Sequence, residues 1–235
     1  QNIYALADSG YVFGFAPNGK ALKTDTLPWR GLSSPSVVDT SFLVFAAFDS
    51  IGQKIVRYRP SDGDTTVLYA LSGDTLSTPI AVAGGSFYFG TRHGRVYKID
   101  TGVPLSRTLD TLGPVTALAV DSSYLWAACR GVFRLAAADL KIQRQAALSG
   151  IRGKDVRIAV GDISQRSPGL ETVLNDEKGN VLLLDSVFNP LPGWPASIAT
   201  RIAVAPALGD VDGDGRLDIV IPGDNTVHIL SYTGT

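Results

Sequence analysis

Phe42-Leu43-Val44-Phe45-Ala46, Lys54-Ile55-Val56-Arg57-Tyr58 and Thr65-Thr66-Val67-Leu68-Tyr69 follow the short run Ser36-Val37-Val38 and decide how this chain folds. Each run is short, rich in Val, Ile, Tyr and Phe, and bounded by Gly, Asp, Ser or Pro. Such runs read as β-strands separated by turns, because β-branched and aromatic side chains pack well on a pleated surface. The second run is solidly apolar and the fourth more polar. This is the gradient expected of a sheet whose inner strands are buried and whose outer strand meets water.

The same order recurs. Pro79-Ile80-Ala81-Val82, Ser86-Phe87-Tyr88-Phe89, Arg95-Val96-Tyr97-Lys98-Ile99 and Leu105-Ser106-Arg107-Thr108-Leu109 form a second set. Val115–Val120, Tyr124-Leu125-Trp126, Gly131–Leu135 and Ile142–Gln145 form a third. A fourth runs from Val156–Val160 through Glu171–Leu174 and Asn180–Leu184 to a proline-rich outer segment ending near Trp194. The last comprises Ile202-Ala203-Val204, Leu217–Ile221 and Thr226–Leu230, and an opening group holds Ile3–Leu6 and Tyr11–Phe15 with a turn at Asn18-Gly19. Ala136-Ala137-Ala138 is read as a strand end and turn.

Pro35, Pro79 and Pro114 mark equivalent entries, as do Asp162 and Asp210, at intervals of roughly 40 residues. Four strands per period predict an all-β fold, a β-propeller of about six blade-like units, over a β-sandwich of Greek keys. The units span 1–30, 31–73, 74–112, 113–152, 153–200 and 201–235 of one propeller domain. The first lacks its innermost strand and the last its outermost. The expectation is therefore a fragment of a larger protein, or a ring closed with irregular terminal sheets.

Composition narrows the function classes. Hydrophobic residues make up 45% and charged residues 18%, as in a folded domain. A net charge of −1 with no Lys/Arg block gives no electrostatic footprint for nucleic acid. No apolar run is long enough to form a transmembrane helix. Cys129, the only cysteine, lies in the apolar run Leu125-Trp126-Ala127-Ala128-Cys129 and reads as a buried strand thiol. The chain starts at Gln1 and contains no methionine, which points to a processed chain or an excised piece.

One stretch carries chemistry: Asp210-Val211-Asp212-Gly213-Asp214-Gly215-Arg216-Leu217-Asp218. Carboxylates recur at alternate positions, and two glycines let the backbone curl. The candidate ligands are Asp210, Asp212 and Asp214, the backbone carbonyl of Arg216, and Asp218, with water completing an all-oxygen shell. Calcium suits this set; magnesium demands tighter geometry and zinc softer donors. A solvated acidic turn is the bland alternative. The loop departs from an EF-hand, because Ile221 stands where that loop closes on Glu and a strand follows.

Gly161–Glu171 is a degenerate twin. Asp162, Ser164 and Glu171 match the ligand pattern, while Arg166 takes an anionic position and is expected to stand in for the ion by pairing with Asp162 or Glu171. Elsewhere the signals are weak. Trp126 reads as core, and Trp29 and Trp194 read as packing residues ahead of sugar-stacking platforms. Tyr58 and Tyr97 read as packing groups, and His93 as an incidental turn residue. No serine elbow, phosphate loop or catalytic thiol pair is present.

Leu208–Val220 and Leu191-Pro192-Gly193-Trp194-Pro195 resemble the FG-GAP/VCBS-type repeats of integrin alpha-chain propellers and many bacterial secreted proteins. Ser34-Pro35-Ser36-Val37 and Gly94–Asp100 are similar to PQQ-like, quinoprotein-type blades. The resemblance implies a rigid scaffold with calcium loops that binds protein or carbohydrate, in an extracellular, cell-surface or periplasmic setting, in bacteria. It implies blade shape for the PQQ-like part and not the cofactor. The competing expectation is an enzyme or accessory propeller acting on polysaccharide, such as a lyase or hydrolase component.

Overall fold

Alternation and turn chemistry translate directly into strands. The computed structural model describes residues 2–37, 41–100, 104–110, 113–164 and 167–234, and every helix or strand assigned among them is a β-strand. The chain divides into two compact units, Gln1–Pro114 and Val115–Thr235. The division falls beside the expected border between the third and fourth repeats.

In the first unit, β1 (Ile3–Leu6), β2 (Tyr11–Phe15) and β3 (Ala21–Thr26) form a three-stranded antiparallel sheet. β4 (Arg30–Gly31) and β5 (Ser36–Val37) both pair with β6 (Leu43–Phe48), which continues through β7 (Gln53–Tyr58) to β8 (Thr65–Ala70). β9 (Ala81–Ala83), β10 (Ser86–Gly90), β11 (Arg95–Ile99) and β12 (Leu105–Thr108) make the third sheet. In the first and third sheets each strand pairs with its neighbour in sequence, as in a meander. The turn before β11 shows why: Gly94 has φ 69°, and a Cβ there would lie 1.7 Å from the Asp110 carbonyl oxygen. Only glycine fits.

The second unit repeats the plan. β13 (Ala117–Val120), β14 (Tyr124–Ala128), β15 (Gly131–Ala136) and β16 (Ile142–Ala147) form one sheet. β17 (Arg157–Gly161), β18 (Glu171–Asn175), β19 (Asn180–Leu184) and the short β20 (Ala196–Ser197) form the next. The last sheet has three strands: β21 (Ala207–Gly209), β22 (Asp218–Pro222) and β23 (Val227–Leu230). Among the described residues the first and last sheets thus have three strands each.

Burial follows from sheets packing face to face. Opposed residues Leu43 and Tyr58, and Phe45 and Val56, turn one face of the second sheet onto Val12 of the first. Val44, Ala46 and Ile55 turn the other face onto Phe87, Phe89 and Ile99 of the third. Each fully buried side chain of this size contributes ~1.5–3 kcal/mol. In the second unit Val173, Leu182 and Leu184 form one core with Ile219 and Ile221.

Three local expectations change. Ile202-Ala203-Val204 is not a strand; pairing starts at Ala207, after Pro206, which has no N–H to give the ladder. Ile202 instead plugs the core with 0% exposure. The outer segment of the fifth repeat shrinks to an isolated bridge, Leu184 to Pro190, and β20, because Pro190, Pro192 and Pro195 remove three donors. Arg30–Gly31 crosses the expected border after residue 30 and pairs with the second sheet. The expected strand residue Val38 lies outside the described residues.

Candidate metal centre

The acidic loop joins β21 to β22 at the rim of the last sheet. Asp210 leaves β21 and Asp218 opens β22, so two strand ends fix the loop's feet. Gly213 and Gly215, at φ 81° and 82°, supply the left-handed bends that ordinary side chains resist. Asp210 Oδ1 accepts the Gly213 N–H at 2.7 Å and Oδ2 the Gly215 N–H at 2.9 Å. Asp212 Oδ1 accepts the Asp214 N–H at 3.0 Å, and Asp218 Oδ2 accepts the Val211 N–H at 3.0 Å. The backbone thus aims its own donors at the carboxylates and holds them in place.

The result is convergence. Asp210, Asp212 and Asp218 each bring a carboxylate oxygen within 4.8 Å of the others, with the first two exposed and Asp218 half-buried. Asp214 stands apart from this trio. Its Oδ1 accepts the Arg216 N–H at 2.8 Å, and its Oδ2 lies 4.0 Å from Arg216 Nε. Of the predicted ligand side chains the fold therefore gathers three, and pairs the fourth with the side chain of Arg216. Three like charges this close repel by about 1 kcal/mol per pair even in bulk water. The donor set is all oxygen, mostly anionic and open to water, which fits a hard divalent cation.

The fifth repeat keeps part of the scaffold with fewer carboxylates. Glu171 opens β18 as Asp218 opens β22, and its Oε2 accepts the N–H groups of Ile163 at 2.8 Å and Ser164 at 3.0 Å. Glu171 and Ser164 are buried, while Asp162 is exposed. The expected stand-in, Arg166, lies outside the described residues.

Other singled-out residues find structural partners. Trp194 is buried, and its Nε1 donates to the Tyr232 carbonyl at 2.9 Å, tying the fifth repeat to the end of the sixth. Trp126 is buried beside Tyr124, and Trp29 packs partly buried on the core of the first two sheets. Tyr97 stacks on Phe89 at 5.0 Å. Tyr58 is buried and donates its hydroxyl to Asp25, and burial followed by that carboxylate pushes its pKa up. Cys129 is buried.

Sequence reasoning missed two polar devices. His93 is not incidental: its Nδ1 lies 2.9 Å from Asp74 Oδ1, at a cleft of about 510 Å³ that Lys54 also lines. Asp176 is fully buried and collects donors from two segments of the chain, Arg152-Gly153 and Lys178–Asn180. Its signal was present in Asp176-Glu177-Lys178-Gly179-Asn180, a turn with the Asp and Asn able to bridge it.

No family model matches the chain, and no curated protein matches it by sequence. Among solved structures it is similar to BamB from Moraxella catarrhalis, with 14% identity and a TM-score of 0.62, over 100% of this chain and 68% of that one. The likeness shows a β-propeller-like all-β fold built from repeated antiparallel sheets.

Proposed function

We propose that this chain is a non-catalytic propeller module of the cell exterior or envelope that binds or scaffolds a protein partner. In this reading calcium stiffens its last sheet. The observation that carries the proposal is the convergence of Asp210, Asp212 and Asp218 within 4.8 Å on a glycine-bent loop. These three residues would hold the ion, with the Arg216 carbonyl and water as further oxygen donors. Bound there, calcium supplies charge neutralisation and a cross-link between the strand ends of β21 and β22. Asp214 would join only by leaving Arg216.

The loop supports placing the last two repeats with the FG-GAP/VCBS-type family, and the fold supports PQQ-like blade shape in the earlier ones. A solvent-open calcium loop of this kind works at the high calcium of extracellular modules, about 0.1–1 mM. That range favours an extracellular, cell-surface or periplasmic setting, and the fold neighbour comes from a bacterium. No helix among the described residues is long and apolar enough to cross a membrane. The polysaccharide reading gains nothing from the tryptophans, since Trp126 and Trp194 are buried.

Calorimetric titration tests the proposal. The expected result is one calcium site in the wild type and none in Asp212→Asn. Absence of any calcium heat with the wild type would overturn it.

A further inference from the structure

The Asp74–His93 pair leaves one carboxylate oxygen unanswered. Asp74 lies in the link between β8 and β9 and His93 in the hairpin between β10 and β11, so both belong to the first unit. The Asp74 side chain is only 5% exposed. Its Oδ1 is crowded, accepting the Thr75 N–H at 2.7 Å, the His93 N–H at 3.3 Å and the His93 Nδ1–H at 2.9 Å. Its Oδ2 is buried and has no hydrogen-bond partner. Burial alone would raise the Asp74 pKa; the nearby Thr91 hydroxyl, the Thr75 and His93 N–H groups and the His93 ring outweigh it and keep the carboxyl charged. The Thr91 hydroxyl itself bonds to the Arg95 carbonyl at 3.3 Å. A buried anionic oxygen without a donor is costly, and native structures answer such groups.

The oxygen belongs to the wall of the cleft of about 510 Å³, a size common to small-ligand sites. Lys54 lines the same cleft, but its ammonium is paired with Asp49. In the neutral His93 ring the Nδ1 hydrogen goes to Asp74, which leaves Nε2 a bare acceptor. The cleft therefore presents two acceptors, one of them anionic, and its one lysine is already neutralised. Ala70 and Leu71 make part of the wall apolar, and Ile51 stands at the rim 88% exposed.

We infer that this cleft takes the side chain of an arginine presented by a protein partner. A guanidinium is a cation with five donors and no acceptor, the complement of what the cleft offers. It is also more weakly hydrated than an ammonium, so it gives up water more readily beside a buried carboxylate. One N–H meets Asp74 Oδ2 and another His93 Nε2. The alkyl stem lies against Ala70 and Leu71, and Ile51 gives the adjoining residue of the partner an apolar contact. Oδ2 is covered as it stands, so entry requires a small movement of the wall. The His93 ring, 67% exposed and held through Nδ1, is the part able to make it. The inference rests on the reading of this chain as a protein-binding module. It does not involve the acidic loop, so it and the calcium reading can fail separately.

N-acetyl-arginine amide, titrated into the isotope-labelled full chain and followed by NMR, tests this. The amide signals of Thr75 and His93, which donate to Asp74, are expected to shift and saturate. The dissociation constant should be about 1 mM, the affinity open to a ligand of about fifteen non-hydrogen atoms at ordinary ligand efficiency. N-acetyl-citrulline amide, the uncharged isostere, should leave both signals in place. Asp74→Asn keeps an oxygen for the Thr75 and His93 N–H groups and puts an NH2 where Oδ2 stands, so it should fold and bind the arginine amide at least ~10-fold more weakly. His93→Ala removes only the second acceptor and should weaken binding a few-fold. A wild type whose Thr75 and His93 signals do not move at about 20 mM, well above the expected constant, would overturn the inference. So would equal binding of the citrulline amide, or undiminished binding by Asp74→Asn. None of these results would alter the calcium heat, which reports on the acidic loop alone.

Discussion

Replacing Asp176 with Asn should be among the most damaging single-atom changes in this chain. Five hydrogen bonds end on this buried carboxylate. Oδ1 accepts the N–H groups of Lys178 at 2.9 Å and Asn180 at 3.0 Å. Oδ2 accepts those of Arg152 at 2.9 Å and Gly153 at 2.8 Å, and the Asn180 side-chain amide at 2.8 Å. An amide at this position can keep the first two acceptors, but it turns an NH2 toward the other three donors. Hydrogen bonds to charged groups are worth ~1.5–3 kcal/mol, and a buried orphan donor costs ~1–3 kcal/mol. Water can reach exposed Arg152, so the net loss should be about 3 kcal/mol at neutral pH, read as a lower urea midpoint at unchanged slope. Burial alone would raise the Asp176 pKa; the Asn180 amide and the N–H groups of Asn180, Arg152 and Gly153 outweigh it and hold the pKa low. The folded pKa therefore lies below the unfolded value of about 3.9. The stabilisation is full above that value and is lost as pH falls through the folded pKa, so the gap between wild type and variant should narrow as the pH falls below the unfolded value. Asp185→Asn is the control. The same turn pattern there is partly exposed, and only the 3.1 Å bond from Asn189 Nδ2 is lost, so the cost should be about 1 kcal/mol. An Asp176→Asn loss no larger than the control's, or a gap independent of pH, would refute the reasoning.

Three further outcomes follow from the geometry. Asp212→Asn should abolish calcium binding, whereas Asp214→Asn should weaken it only a few-fold, since Asp214 stands outside the carboxylate trio; calorimetry on both variants separates the two. Trp194→Phe should cost about 1 kcal/mol for the lost bond to Tyr232, and Trp194→Ala about 3–5 kcal/mol for the cavity, each measured by denaturant melting. Cys129 should resist aqueous thiol reagents in the folded protein and react fully in denaturant, a contrast that mass spectrometry reads directly.

Most of the sheet plan was legible because it rests on period-two alternation and on turn residues. The apolar run Lys54–Tyr58 lies within β7, and Asn180–Leu184 coincides with β19. Ala136 closes a strand as expected. What escaped notice depends on tertiary context. β3, Ala-Leu-Lys-Thr-Asp-Thr, is too polar to stand out, and it forms because β2 offers it a free edge. Ile202-Ala203-Val204 has strand composition but sits ahead of a proline, and its burial is as a plug. At the acidic loop the residue types were legible, but their separation was not. Sequence spacing treats Asp214 as equal to Asp210 and Asp212, whereas the backbone bends at Gly213 and Gly215 turn it onto Arg216. The Asp74–His93 pair joins residues far apart in the chain, which no local pattern could link.

In the proposed function the acidic loop is a calcium-dependent brace of the last sheet. Thermal melting in excess calcium and in chelator tests it most directly. At about 100 times the dissociation constant, calcium adds ~2.7 kcal/mol to folding. For a chain of this size that amounts to a rise of about 5–10 °C in Tm, absent in Asp212→Asn. Identical melting of the wild type in calcium and in chelator would contradict the account.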